Sequence, residues 1–150
     1  TSQTNYPELR VTIEFDDVAN IANFYKIEIF TVQSVSGSTY GYPLSLRSDD
    51  VSLGLSDEGY YSEVFFDDIL FDGNKKELVL YVEDTRDYDD FLEIKLTSLS
   101  KSAYLYDETY RAYYESNGNP FAQPVLMFNN VEEGFGILKA QQIVIKEVSL

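Results

Sequence analysis

Apolar and polar residues alternate strictly from Leu9 to Phe15. Leu9, Val11, Ile13 and Phe15 share one parity, and Arg10, Thr12 and Glu14 the other. A period of two sends successive side chains to opposite faces, so this segment reads as a half-buried β-strand. Asp16 to Asn20 is a connection. Tyr25, Ile27 and Ile29, set against Lys26 and Glu28, predict a second strand. Ser34 to Asp57 is rich in Ser, Gly and Asp and contains Pro43, which predicts a long loop with one short strand near Tyr42 to Leu46. Tyr60 to Phe66 is aromatic and β-prone. Asp72-Gly73-Asn74 is a turn signal, and Leu78, Leu80 and Val82 alternate beyond it, so a hairpin about Gly73 is expected. Glu83 to Asp90 is an acidic connection, after which Leu92, Ile94 and Leu96 mark another strand.

The period then changes. Ser100 is suited to cap a helix, and Ala103, Tyr106, Tyr110 and Tyr113 or Tyr114 recur at helical spacing. Asn117-Gly118 and Pro120 end that pattern. Val125 to Asn129 then reads as a strand, Glu132-Glu133-Gly134 as a turn, and Phe135 to Val148 as a long strand or a bent pair. Short strands separated by turn signals predict an all-β fold. We expect one domain over residues 1–150, an antiparallel β-sandwich (Ig-like or Greek-key). One short α-helix near residues 101–116 should cover an open end or an edge.

Composition narrows the chemistry. The chain has no histidine and no cysteine. Histidine is the side chain that titrates near neutrality unaided, and cysteine supplies the thiolate for redox and nucleophilic work. Triads, Cys–His dyads and the usual zinc sites each lose a member. A formal charge of −15 repels phosphates, so nucleic acid is not an expected partner. No stretch is apolar for long enough to cross a bilayer as a helix.

The acidic run offers oxygen ligands. Asp84, Asp87, Asp89 and Asp90 lie together in one connection, and calcium is the cation such a set would take. The run lacks the spacing of an EF-hand. Asp49-Asp50 and Asp57-Glu58 are weaker versions. Glu63, Asp67, Asp68 and Asp87 are nominal candidates for a pair of glycosidase carboxylates, although any acidic surface offers such pairs. The 13 tyrosines are the other excess. Their rings stack on sugars or on other aromatics while the hydroxyl stays wet. On the helix, Tyr106, Tyr110 and Tyr113 are expected to pack onto the sheet, leaving Tyr104 and Tyr114 at the surface. Tyr40 and Tyr42 lie by the long loop. These four, Tyr40, Tyr42, Tyr104 and Tyr114, are the expected ligand-binding residues. Gly134-Phe135-Gly136 lacks the following helix and lysine of a phosphate loop and reads as backbone geometry.

Several stretches carry a resemblance. Asn119-Pro120-Phe121-Ala122-Gln123-Pro124, then Phe128-Asn129-Asn130-Val131-Glu132-Glu133-Gly134-Phe135-Gly136-Ile137-Leu138, resembles the end of a Bacteroidetes surface lipoprotein family, a domain of unknown function whose genes often lie beside TonB-dependent receptors. Asp16 followed by Asn23-Phe24-Tyr25 is similar to the family's strand entry. Asp67-Asp68-Ile69-Leu70-Phe71-Asp72-Gly73 is similar to its D-x-x-F-x-G turn. Glu133 replaces the first glycine of the usual pair, and Leu138 the usual phenylalanine. The resemblance implies an exported protein at the outer membrane or cell surface. It implies a membrane link through an N-terminal lipid anchor and makes this chain the C-terminal domain of a longer lipoprotein. A TonB-dependent receptor or another surface protein, and a glycan, are the partners to expect. The expected function is a non-catalytic binding or accessory module that supports capture of a glycan or peptide nutrient. A carbohydrate hydrolase using two carboxylates and a purely structural spacer are the alternatives.

Overall fold

The computed structural model describes residues 7–56, 59–87, 89–116, 123, 125–133 and 136–150. Strand β1 (Glu8–Asp16) follows the first alternation, with Leu9, Val11, Ile13 and Phe15 half-buried against the core and its other residues exposed. Strand β2 (Phe24–Val35) buries Tyr25, Ile27 and Ile29 by the same rule. The remaining strands are β3 (Ser38–Pro43), β4 (Leu46–Arg47), β5 (Val64–Asp67), β6 (Lys75–Glu83), β7 (Phe91–Leu99) and β8 (Gln141–Ser149). Helix α1 (Lys101–Ser116) lies between β7 and β8.

Among the described residues all strand pairings are antiparallel and form two sheets. The smaller has the order β1-β6-β4. The larger runs β3-β2-β7-β8, with β5 also paired to β2. Between the sheets, Ile27, Ile29, Leu46, Val64, Leu78, Leu80 and Val82 are fully buried. Each such side chain contributes about 1.5–3 kcal/mol of transfer free energy. This is the expected all-β sandwich with one helix. No helix among the described residues is long and apolar enough to cross a membrane.

The stretch expected as a loop is more ordered than its composition suggests. Ser36 and Gly37 both take positive φ, 53° and 83°, and turn β2 directly into β3. A two-residue left-handed turn matches the twist of its flanking strands, so it sets a hairpin. After β4, Asp50 caps a single 3-10 turn (Val51–Leu53), which Gly54 ends at a φ of 61°.

The hairpin expected about Gly73 does not form. β5 joins β2 in the larger sheet, and β6 lies between β1 and β4 in the smaller. Residues 68–74 therefore carry the chain from one sheet to the other. Alternation fixes which face of a strand is buried but not which strand pairs with it.

Two further expectations are corrected. Val125 to Asn129 is not a strand. The Phe128 N–H donates instead to the Thr109 hydroxyl on α1, at 2.9 Å. Of the last expected strand only Gln141–Ser149 is extended in a sheet. Before it, the Asn130 side chain accepts from the Leu138 N–H at 2.8 Å and donates to the Leu138 carbonyl at 2.9 Å, taking the place of a ladder. The expectations on Asn117 to Ala122, Pro124, Gly134 and Phe135 lie outside the described residues.

Ser100 caps α1 by accepting from the Ala103 N–H at 3.3 Å. It also binds the approach to β8, its own N–H donating to the Ala140 carbonyl. The helix lies on the outer face of the larger sheet rather than on an edge or open end. Tyr104 is its anchor, packed on Phe24 with ring centroids 4.8 Å apart and edge-on to Phe65. Phe24 and Phe65 have the opposite parity to the core residues of their strands. Tyr104→Ala is expected to cost about 2 kcal/mol in a urea titration, and Tyr114→Ala less than about 0.5 kcal/mol.

Candidate functional site

Two aspartates end strands on the core-facing parity. Asp17 follows Leu9, Val11, Ile13 and Phe15, and Asp68 follows Val64 and Phe66. Both are buried. Burying a carboxylate is costly unless it is hydrogen-bonded, and here the donors come from the start of β2 and from the β5–β6 crossing. The Tyr25 hydroxyl donates to Asp17 Oδ1. The Gly73 N–H donates to Asp17 Oδ2 at 2.8 Å. The Asn23 N–H donates to Asp68 Oδ2 at 2.9 Å, and Asn23 Nδ2 lies 3.1 Å from both Asp68 Oδ2 and Asp17 Oδ1. Asp72 accepts from the Asn20 N–H at 2.8 Å. The knot joins the β1–β2 connection to the β5–β6 crossing.

The polypeptide shape serves these bonds. Asn20 and Gly73 both have positive φ, at 62° and 70°. A Cβ on Gly73 would stand 2.4 Å from the Ala19 Cβ, so only glycine lets the two loops approach this closely. Tyr25 also packs among Phe15, Phe66 and Phe71. Burial, the hydrogen bond to Asp17 and the nearby Asp68 charge all push its phenol above the ordinary range.

Asp17, Asp68 and Asp72 are the acidic group that converges among the described residues, with one oxygen from each within 4.8 Å of the others. Three carboxylates can begin a calcium site. In this geometry protein donors already engage all three side chains, so the arrangement acts as a polar tie between loops. The four aspartates of the acidic run are held separately. Asp84 clamps Arg86 in a bidentate ion pair at 2.6–3.1 Å, which holds its carboxyl below the usual range. Asp90 accepts from the Ser34 N–H at 2.7 Å, Asp89 donates its N–H to the Thr85 carbonyl, and Asp87 is exposed. Tyr88, Asp57 and Glu58 lie outside the described residues.

The tyrosines separate into two places. Tyr40 and Tyr42 are exposed on β3, where Tyr42 pairs with Thr31. Thr31 is seven residues along β2 from Phe24, about 23 Å at the usual rise per residue. Tyr104 packs on Phe24 and is removed from the surface set. Tyr110 and Tyr113, expected against the sheet, are each 41% exposed, and Tyr114 is 59% exposed. Tyr106, Tyr110 and Tyr114 form a row at intervals of one helical turn, with centroids 5.9 and 4.7 Å apart. The row is about 12 Å long by helical rise. Tyr113 meets Tyr114 edge-on at its end. A hydrogen bond with Tyr114, followed by partial burial and the neighbouring phenols, raises the Tyr110 pKa.

A family model described as a domain of unknown function, DUF4249, matches residues 1–147. The chain belongs to the DUF4249 family. No curated protein and no solved structure matches it. Two of the four stretches that carried the resemblance in this DUF4249 chain meet in the knot. Asn23, Asp68 and Gly73 are brought together, and the acid at the strand entry is Asp17 rather than the exposed Asp16. The signal in the sequence was an aspartate at the next core-facing position after each of two apolar strands.

The remaining electrostatics secure the smaller sheet. Hydrogen bonds from Arg47 pull the Glu8 carboxyl down, burial opposes them, and Tyr60 adds a further hydrogen bond. Burial alone would raise Asp50, but Lys76 at 2.8 Å and the bonds from Ser52 outweigh it, and its pKa is lowered. A carboxyl harder to protonate in the fold than in the unfolded chain stabilises fully above about pH 4. That contribution is lost as pH falls through the lowered value.

Two outcomes are expected. The melting temperature should agree within about 1 °C in calcium and in EDTA, because a native-state ligand would raise it. In both buffers Asn23→Ala should cost about 3 kcal/mol by leaving buried carboxylates short of donors. Asp50→Asn should cost about 1 kcal/mol at pH 7, and its deficit against the parent should shrink as pH drops below 4 in urea titrations.

Proposed function

We propose that this domain is a non-catalytic binding module, and that the tyrosine row on α1 is its contact surface for a neutral glycan. The row of Tyr106, Tyr110 and Tyr114, half-buried at Tyr106 and exposed at Tyr110 and Tyr114, is the observation that carries this reading. Consecutive rings offer apolar faces to the C–H faces of sugars, and their hydroxyls offer hydrogen bonds at the rim. A helix whose aromatic residues only packed inward would not leave Tyr110, Tyr113 and Tyr114 in solvent. The charge of −15 favours a neutral glycan over an anionic one.

One feature favours binding over hydrolysis by two carboxylates. The carboxyls with displaced pKa values among the described residues, Glu8, Asp50 and Asp84, all shift downwards. A glycosidase acid needs the opposite displacement.

The reading extends to the setting that the family resemblance implies. The domain then belongs to an exported Bacteroidetes lipoprotein, anchored by an N-terminal lipid at the outer membrane. It serves a neighbouring TonB-dependent receptor by holding a nutrient near it.

A neutral-glycan array followed by titration calorimetry tests the site. Tyr110→Ala and Tyr114→Ala should each weaken a detected glycan by about tenfold or more, while Tyr42→Ala leaves it unchanged. Absence of binding across the array, or parental affinity in both helix variants, contradicts the glycan site. Release of reducing sugar by the purified domain contradicts the non-catalytic reading.

A further inference from the structure

Oxidation of this domain has few places to go. The chain has no cysteine, tryptophan or histidine and a single methionine, Met127. Cysteine and methionine are the side chains that oxidants ordinarily reach first. With those groups absent or single, the 13 tyrosines are what remains for a one-electron oxidant. Several of them are turned to other partners. Tyr25 is buried among Phe15, Phe66 and Phe71, and Tyr104 packs on Phe24. Tyr81 lies under the Arg47 guanidinium. The second half of α1 differs, because there tyrosine meets tyrosine at the surface.

Coupling two phenols joins ring carbons that flank the hydroxyl-bearing carbon. It needs the oxygen ends of two rings side by side, and Tyr110 and Tyr114 meet that need. They stand four residues apart on one helix, a spacing at which side chains touch. Their centroids are 4.7 Å apart and their planes are inclined by 49°. A hydrogen bond joins their hydroxyls and so draws the flanking carbons together. Both rings are exposed to a diffusing oxidant. The adjoining pairs are less suited. Tyr106 is half-buried, and its centroid lies 5.9 Å from that of Tyr110. Tyr113 meets Tyr114 edge-on, at 83° and 6.0 Å. Consecutive residues point about 100° apart round a helix, which turns those two oxygens away from each other.

We propose that Tyr110 and Tyr114 form a modification site, at which a one-electron oxidant couples the two rings into an intramolecular dityrosine. Each phenol gives up one electron and one proton and becomes a phenoxyl radical. The two radicals join through a carbon–carbon bond between positions ortho to the oxygens. The hydrogen on each joined carbon then moves to the oxygen, which restores both aromatic rings. The pair has lost two hydrogen atoms in all. Hydrogen peroxide, acting through a haem peroxidase, takes up those two electrons and two protons and becomes two molecules of water. The charge of −15 holds separate copies apart, so rings fixed on one helix meet far more often than rings on two molecules. Coupling requires only the geometry of the rings, whether or not the row holds a glycan.

The whole domain is treated with a haem peroxidase and an equimolar amount of hydrogen peroxide, and dityrosine is read by its fluorescence and by peptide mass. Peroxide alone should convert Met127 to the sulfoxide and leave the tyrosines intact. Trypsin cuts after Arg111, between the two tyrosines. The link should therefore join fragment 102–111 to fragment 112–139, two hydrogen atoms lighter than their sum, in protein that still runs as a monomer. Fragmentation of the joined peptides should place the bond at Tyr110 and Tyr114. Tyr110→Phe and Tyr114→Phe keep a ring in place and remove one phenol. Each should cut monomeric dityrosine by about tenfold or more, whereas Tyr113→Phe and Tyr42→Phe should change it by less than about twofold. Four results would overturn the proposal: dityrosine mainly in covalent dimers, a bond placed at Tyr106 or Tyr113, parental yield in Tyr110→Phe, or no coupling once the peroxide is consumed.

Discussion

The sandwich depends on hydrogen bonds that keep Asp17 and Asp68 tolerable inside it. Each aspartate sits where an apolar strand would place its next core residue, beside the rings of Phe15, Tyr25, Phe66 and Phe71. Without donors, either carboxylate would force that end of the sheets apart. Tyr25 and Asn23 come from the start of β2, and Gly73 from the crossing between β5 and β6. The bonds therefore do more than satisfy two charges. They fix where the chain leaves one sheet and enters the other, at two crossings together. The close approach of Gly73 to Ala19 belongs to the same constraint.

Much of this fold was legible in the sequence, for a definite reason. β1 and β6 turn one parity inward along their length, as β2 does to Thr31 and β7 does to Ile94, and a period of two survives any arrangement of neighbours. Ser100 announced α1 because a capping hydroxyl acts locally. Partner choice was not legible. The turn at Asp72-Gly73-Asn74 is real, but a turn followed by alternation is as compatible with a crossing between sheets as with a hairpin. The reverse error fell on Ser36-Gly37, where a polar stretch concealed a tight hairpin turn.

The candidate sites show the same limit. Helical spacing identified a tyrosine-rich helix without saying which stripe meets the sheet. Tyr104 won that place because Phe24 and Phe65 offer it an aromatic seat on the outer face. This left Tyr110 and Tyr114 exposed, in a row that starts at the half-buried Tyr106. The aspartates that converge were likewise invisible as a set, because they lie far apart in the chain. Of the stretches that carried the family resemblance, the entry to β2 and the Asp67 to Gly73 turn fall in the knot, and the geometry supplies a physical reason for Asn23, Asp68 and Gly73 to occur there.

If the knot secures the sandwich, its amides should open only when the whole domain unfolds. Native-state hydrogen exchange under increasing denaturant reads this directly for Asn23, whose N–H is held by Asp68, and Gly73, whose N–H is held by Asp17. Both amides should merge with the slowest amides of β2 and β6 and report the global unfolding free energy. Exchange of Asn23 and Gly73 through a low-energy local opening, while β2 and β6 stay protected, would contradict the account.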